Sequence, residues 1–394
     1  MSDKKHAKLS ASGSKRWMTC TPSPVLEESF PESQSEYAEE GSFAHALAEL
    51  QLKKLLGQIK TAAYNKALAK LKENQYYSPS LEEYVNSYTD FVMERLATVK
   101  KVCKDPVVLL EQRLDFSKWV PEGFGTGDVV IIADRILEVI DLKYGKGVPI
   151  SAEGNPQIRL YGLGALNQYE GLYDIEIVNL SIVQPRLDST SSDKLSVENL
   201  YKWAEDEVKP KAALAIAGEG GFVPGEHCKF CRAKAVCKAR ADANLELAKY
   251  DFMEPTLLSD EELTVILAKA EELQAWAKDI QEYALDQANN HGKKWPGWKL
   301  VEGRSNRKYS DQVAIIAKLK EEGYSSEVYM KPEELKGITE LEKAMGKRLF
   351  NDYLSGFIIK PAGKPVLVPE SDKRLEISSV NSAINDFTEE DPLS

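Results

Sequence analysis

Two apolar stretches each carry an acid at one end. Gly127-Asp128-Val129-Val130-Ile131-Ile132 opens on one, and Ile136-Leu137-Glu138-Val139-Ile140-Asp141-Leu142-Lys143 closes on another. Residues two apart on a strand face the same way, so Asp141 and Lys143 project together while Leu142 turns into the core. Ala133-Asp134-Arg135 reads as a tight turn between the two stretches, and the hairpin it makes brings Asp128 alongside. Two carboxylates so placed can hold Mg²⁺ or Mn²⁺ through oxygen. Such a metal lowers the pKa of a bound water and clamps phosphate oxygens, and the lysine can orient that water or meet transition-state charge. The chemistry this suits is hydrolysis of a phosphodiester. The plain alternative is a solvated ion pair at a strand end, which is what most isolated Asp-x-Lys pairs are.

Other groups can join the trio. His45, in Glu39-Glu40-Gly41-Ser42-Phe43-Ala44-His45-Ala46, offers an imidazole ligand from a helix. Gln157 and Tyr161 lie four apart and share one face of a helix, where they could orient a phosphate or the lysine. Glu111 is a candidate accessory acid at a strand end.

A second constellation is built from cysteine. Cys228, Cys231 and Cys237 read as Cys-x2-Cys-x5-Cys, a spacing that converges thiolates on one metal centre. The fourth ligand could be Cys20, His227 or Cys103. Zinc favours a tetrahedral Cys or Cys/His set, and an iron–sulfur cluster favours four thiolates. Spacing alone leaves both open.

These groups need a scaffold. Apolar periodicity predicts helices over about 36–56, 81–103, 156–169, 196–217 and 259–290, and strands near 107–111, 127–132, 136–143 and 175–183. Residues 1–35 read as irregular. The order helix, three strands, helix, strand implies an α/β fold, a mixed sheet flanked by helices. A soft boundary near 250 divides residues 1–250 from 251–394, the latter a long helix and a small α+β region ending in a disordered acidic tail from about Asn385. In this region Arg304, Arg307 and Lys308 lie near Trp295, Trp298 and Tyr309, and Lys360, Lys364, Lys373 and Arg374 form a second basic group. Basic residues interleaved with aromatics can bind a nucleic-acid strand; a capping domain with solvated charges is the commoner meaning.

The chain has 394 residues, 43% of them hydrophobic, and a formal net charge of −11. That balance argues against a protein that coats nucleic acid non-specifically, which is normally basic. It leaves room for a local basic groove. No apolar run reaches the length of a membrane span, and Met1-Ser2-Asp3-Lys4-Lys5 lacks a signal-peptide core. A cytoplasmic location with reduced cysteines is therefore expected.

The series His45, Gly127-Asp128, Asp141-x-Lys143 and Gln157-x-x-x-Tyr161 resembles the motifs of RecB-like nucleases of the PD-(D/E)xK superfamily. The resemblance covers about residues 8–240 and implies a restriction-endonuclease-like fold. In those nucleases the histidine and two acids bind metal and the lysine is catalytic, which here implies metal on His45, Asp128 and Asp141, and catalysis by Asp128, Asp141 and Lys143 with Gln157 and Tyr161 beside them. The third motif commonly has Glu where this chain has Asp141. The main-chain carbonyl of Leu142 matches a frequent ligand position. One branch, including AddB-type and CRISPR-associated nucleases, carries a [4Fe–4S] cluster on one cysteine before the nuclease core and three after it. That implies Cys20, Cys228, Cys231 and Cys237 as its ligands, with structural Zn²⁺ as the alternative, and Cys103 left as a core thiol. The whole chain also looks like a phage and prophage protein family assigned to this group. The expectation is a DNA exonuclease or end-processing nuclease in phage recombination or replication, with DNA as ligand and a single-strand-binding, annealing or helicase protein as a possible partner. A non-cleaving DNA-binding module that recruits such partners is the alternative.

Overall fold

The computed structural model describes residues 7–31, 36–146, 149–246, 259–303, 307–331, 334–359, 361, 363, 365–369 and 375–377. Five strands form one mixed sheet in chain order: β1 (Val107–Asp115), β2 (Phe124–Ala133), β3 (Ile136–Leu142), β4 (Ile177–Gln184) and β5 (Ser189–Ser196). The β1–β2, β2–β3 and β4–β5 pairs are antiparallel, and β3–β4 is parallel. The parallel pair needs a crossover, supplied by a helix over Pro156–Tyr169.

Helices cover both faces. Before the sheet come α1 (Ser14–Thr19), α2 (Ser23–Glu27), α3 (Glu36–Leu55), α4 (Thr61–Lys72) and α5 (Pro79–Val99). After β3 come the crossover helix α6, then α7 (Val197–Trp203), a π-helical turn (Ala204–Val208), α8 (Lys209–Ala217), α9 (Lys238–Leu245) and α10 (Asp260–His291). Two short helices therefore lie within the N-terminal stretch expected to be irregular. They are held by tertiary burial of Trp17, Met18 and Ser23 rather than by length. The strand β5 and the helix α4 were not among the expected elements. The expected boundary near 250 and the acidic tail lie outside the described residues.

Alternation along the strands explains the two layers. Val129, Ile131 and Ala133 of β2, with Ile140 and Leu142 of β3, pack with Phe43, Leu47, Val85, Tyr88 and Val92 of α3 and α5. Val130, Ile132, Leu137 and Val139 pack instead with Ile158, Leu163 and Leu166 of α6 and with Trp17. Because both faces are covered, the central strands read as unbroken apolar runs. Each fully buried Leu, Ile or Val contributes about 1.5–3 kcal/mol. Acids enter this interior on β3: Asp141 is buried, and so is Glu138, which the Arg95 guanidinium holds at 2.6 and 3.0 Å.

The chain divides into two compact units, Met1–Leu273 and Gln274–Ser394, with the division inside α10. The second unit contains α11 (Gln312–Glu321), α12 (Ser326–Tyr329), α13 (Ile338–Met345) and α14 (Lys347–Leu354). Its core gathers Ile315, Leu319, Tyr329, Leu341, Met345, Phe350 and Leu354. A strand at Trp298–Glu302 pairs antiparallel with Pro365–Pro369. No helix among the described residues is long and apolar enough to cross a membrane.

Candidate functional site

The sheet register assembles the acids. Leu110 pairs with Val129 and Gln112 with Gly127, so Glu111 lies opposite Asp128. Val129 pairs with Ile140, so one step further Asp128 lies opposite Asp141. Three neighbouring strands therefore carry a row of carboxylates. Glu111 itself has φ +46°, a left-handed conformation that costs a non-glycine residue about 1–3 kcal/mol and persists where surroundings impose it.

His45 reaches the row from α3. Its Nδ1 is 3.0 Å from Asp128 Oδ1, and the Leu142 amide donates to Asp128 Oδ2 at 2.6 Å. One ligand atom each of His45, Glu111 and Asp128 lie within 4.8 Å of one another. This potential ligand group among the described residues contains two of the expected metal residues, His45 and Asp128, and gains Glu111. Asp141 falls outside it: Lys143 Nζ lies 2.7 Å from its Oδ2, and Gln157 Nε2 donates to its Oδ1 at 3.5 Å. The contact shown for Leu142 is the one its amide makes to Asp128.

The helix α6 sets the second pair. Asn155 caps it by accepting from the Gln157 amide at 2.9 Å, and Pro156 occupies its first turn. One turn on, Tyr161 accepts from Gln157 Nε2 at 3.2 Å. A Cβ on Gly125 would stand 2.6 Å from the Tyr161 ring, so that glycine makes the room Tyr161 occupies.

Electrostatics show the strain of crowding these groups. Burial, then the charge of Asp128, pushes the Glu111 carboxyl up to about 7, with His45 opposing. Burial alone would lower His45, but the charge and hydrogen bond of Asp128 reverse this and raise it to about 9. Burial raises Asp141 too, with Lys143 pulling the other way. Tyr88, fully buried on α5, keeps its hydroxyl without a hydrogen-bond partner among the described residues, and Asp128, Asp141 and Glu111 add to the burial that holds it neutral. One imidazole nitrogen with hard carboxylate oxygens suits Mg²⁺ or Mn²⁺, and a cation would relieve the repulsion that protons now relieve.

The second constellation also comes together. Cys20, Cys228, Cys231 and Cys237 line a single cavity with Arg16, Ser23, His227 and Arg240. Cys20 ends α1, Cys228 lies in a 3-10 turn that Cys231 ends, and Cys237 stands just before the first turn of α9. The Gly225 amide donates to Cys228 Sγ at 3.3 Å. Burial raises the Cys20 and Cys228 thiols and pushes Cys231 up to about 12. His227 lines the cavity with Nε2 at 2.9 Å from the Val223 carbonyl. Cys103 lies elsewhere, packed against the α3–α5 core. Four thiols drawn from two distant segments fit a four-thiolate centre.

In the second unit Arg307, Lys308 and Tyr309 line an open groove with Gln312 and Thr339, and Arg307 pairs with Glu342 at 3.0 Å. Trp295 is half-buried, and its indole donates to the Ala284 carbonyl at 2.9 Å. Arg304 and the second basic group, Lys360, Lys364, Lys373 and Arg374, lie outside the described residues.

Glu111 as a full member of the acid row, Tyr88 and Arg240 are what sequence reasoning missed. The only sequence signal for Glu111 was an acid ending an apolar run. Known proteins add little about activity. A family model described as protein of unknown function (DUF2800) matches residues 6–375. A solved structure described as "Crystal structure of SSO0001" is 19% identical over 49% of this chain and 95% of its own, with a TM-score of 0.19; at that score it carries no argument.

Proposed function

The chain belongs to that DUF2800 family, whose description assigns no activity, and from its own residues we propose that it is a divalent-metal-dependent deoxyribonuclease of RecB-like type, an exonuclease or end-processing enzyme of phage recombination or replication. The observation that carries this is the row Glu111, Asp128 and Asp141 with His45 on one side and Lys143 on the other. His45, Glu111 and Asp128 would hold Mg²⁺ or Mn²⁺. A bound cation there supplies an acidified water and Lewis-acid relief of phosphate charge. Lys143, held by Asp141, presents a positive charge for the non-bridging phosphate oxygens. Gln157 fixes the rotamer of Asp141, and Tyr161 fixes Gln157. Asp128 orients His45 through one oxygen and is itself oriented by the Leu142 amide through the other.

The cysteine cavity supports a structural [4Fe–4S] centre or structural Zn²⁺ on Cys20, Cys228, Cys231 and Cys237. Brown protein with broad visible absorbance after anaerobic purification supports iron–sulfur, and colourless protein with stoichiometric zinc supports zinc.

The test of the activity is cleavage of end-labelled single- and double-stranded DNA with Mg²⁺ or Mn²⁺. Asp128→Ala, Asp141→Ala and Lys143→Ala should each abolish it. Undiminished cleavage by Asp141→Ala overturns the assignment. Wild-type protein that binds DNA ends across metals and substrates without cutting favours instead a recruiting module, for which the groove at Arg307, Lys308 and Tyr309 is the candidate contact.

A further inference from the structure

Arg240 is fully buried in the first unit, one turn into α9. It lines the same cavity as the four cysteines. Its Nε and Nη2 lie 2.9 and 2.8 Å from Glu272 Oε1 on α10, and Nη1 donates to the Lys234 carbonyl at 3.2 Å. The pair is lopsided: the Arg240 side chain is 0% exposed and that of Glu272 is 36%. The guanidinium is buried on the wall of the cavity that the thiols line, and Glu272 is one of its partners. Taking a cation out of water costs several kcal/mol, so a group this deep is kept where anionic charge lies around it.

The cavity has a matching need. Four thiolates around Zn²⁺, or around a [4Fe–4S] core, leave a charge of about −2 in a low-dielectric site. Buried charge requires compensation. Arg16 also lines the cavity, but Glu27 holds it at 2.9 Å and is itself only 3% exposed, so that pair cancels locally. The N-terminus of α9, just after Cys237, contributes a partial charge of the same sign as Arg240.

We propose that Arg240 is the counter-ion of a dianionic four-thiolate centre, a positioning residue that retains the centre without ligating it, and that Glu272 fastens α10 to this cation. The proposal rests on the four-thiolate reading given above. It is tested on full-length wild-type, Arg240→Gln, Arg240→Lys and Glu272→Gln proteins purified anaerobically. Iron and zinc per chain, the rate of metal loss to EDTA, and thermal stability of loaded and stripped protein are measured. Arg240→Gln should lose metal on the order of 10- to 100-fold faster, the range typical of groups that act on ligands from outside the coordination sphere. Arg240→Lys should restore much of the retention. Glu272→Gln should retain metal as well as wild type or better, because it removes an opposing charge. A merely structural ion pair would make Arg240→Gln and Glu272→Gln fail alike, with equal losses of stability in loaded and stripped protein, and that result overturns the proposal. If Arg240→Gln does not fold, the contrast between Arg240→Lys and Glu272→Gln decides on the same terms. Wild-type protein holding neither iron nor zinc overturns the four-thiolate reading and this proposal together; metal-loaded wild type with unchanged retention in Arg240→Gln overturns this proposal alone.

Discussion

Glu111→Gln should stabilise the metal-free protein at alkaline pH while weakening its response to metal. The Glu111 carboxyl is raised from its ordinary 4.5 to about 7, first by burial and next by Asp128. That rise corresponds to about 3 kcal/mol of preference for the protonated form, which water reaching this half-buried side chain reduces to about 1–2 kcal/mol. A group with a raised folded pKa contributes stability that is complete below 4.5 and lost as pH climbs through 7. At about pH 5 the two metal-free proteins should therefore melt together. At about pH 8 the variant should melt higher by about 2–8 °C, since about 2–4 °C accompanies each kcal/mol in a domain of this size. Adding Mn²⁺ reverses the ranking. At a hundredfold excess over its Kd a ligand stabilises by about 2.7 kcal/mol, so wild type should gain about 5–10 °C, and the variant, short of one ligand, much less. Differential scanning fluorimetry at the two pH values, with EDTA and with Mn²⁺, reads all four states. A variant that melts below wild type at the higher pH yet responds fully to Mn²⁺ would refute the placement of Glu111 among the metal-holding acids.

Arg95→Met should destabilise by about 3–5 kcal/mol, because it strands the buried Glu138 carboxylate; urea denaturation checks this, and a loss under about 1 kcal/mol counts against it. Gln157→Leu should slow DNA cleavage about 10- to 100-fold with stability near wild type, since it removes one of the two groups that hold Asp141, and its bond to Tyr161, while leaving Lys143 in place; single-turnover kinetics with melting curves separates the two effects.

The hairpin of β2 and β3 was legible because its apolar runs are long, its turn is short, and acids mark its ends. The α6 helix was legible from Pro156 to Tyr169 because Asn155-Pro156 is a start signal and the apolar positions that follow repeat with helical spacing. The strand β5 was not, because Ser189–Ser196 is almost wholly polar; it is an edge strand held by β4, with the Ser181 and Ser192 hydroxyls 2.8 Å apart. The helix α4 was passed over although Tyr64, Leu68 and Leu71 repeat at helical spacing; its apolar face is only partly buried, with Leu68 and Leu71 against the α3–α5 core. At the site, motif order named His45, Asp128, Asp141 and Lys143. It could not name Glu111 as their equal, because that role depends on a pairing register across three strands and on a backbone turned out of the usual strand conformation. Arg240 was invisible for a related reason: its partner Glu272 is 32 residues away on another helix.

The clasp between the chain's beginning and the cysteine loop has a consequence for how the protein is made. The Arg232 amide donates to Glu27 across 205 residues, and the Thr21 hydroxyl donates to the Glu219 carbonyl across 198. At about 5–20 residues per second of synthesis, the segment around Cys20 waits roughly 10–40 s on the ribosome before its partners exist. For that interval Trp17 and Met18 have no late strands or cysteine loop to lie against, and Cys20 is a lone thiol. On the proposed four-thiolate reading, loading of the centre is a late event that waits for Cys237, and conditions that starve the cell of the metal should yield chains whose strands are paired while the segment around Cys20 remains open to proteases.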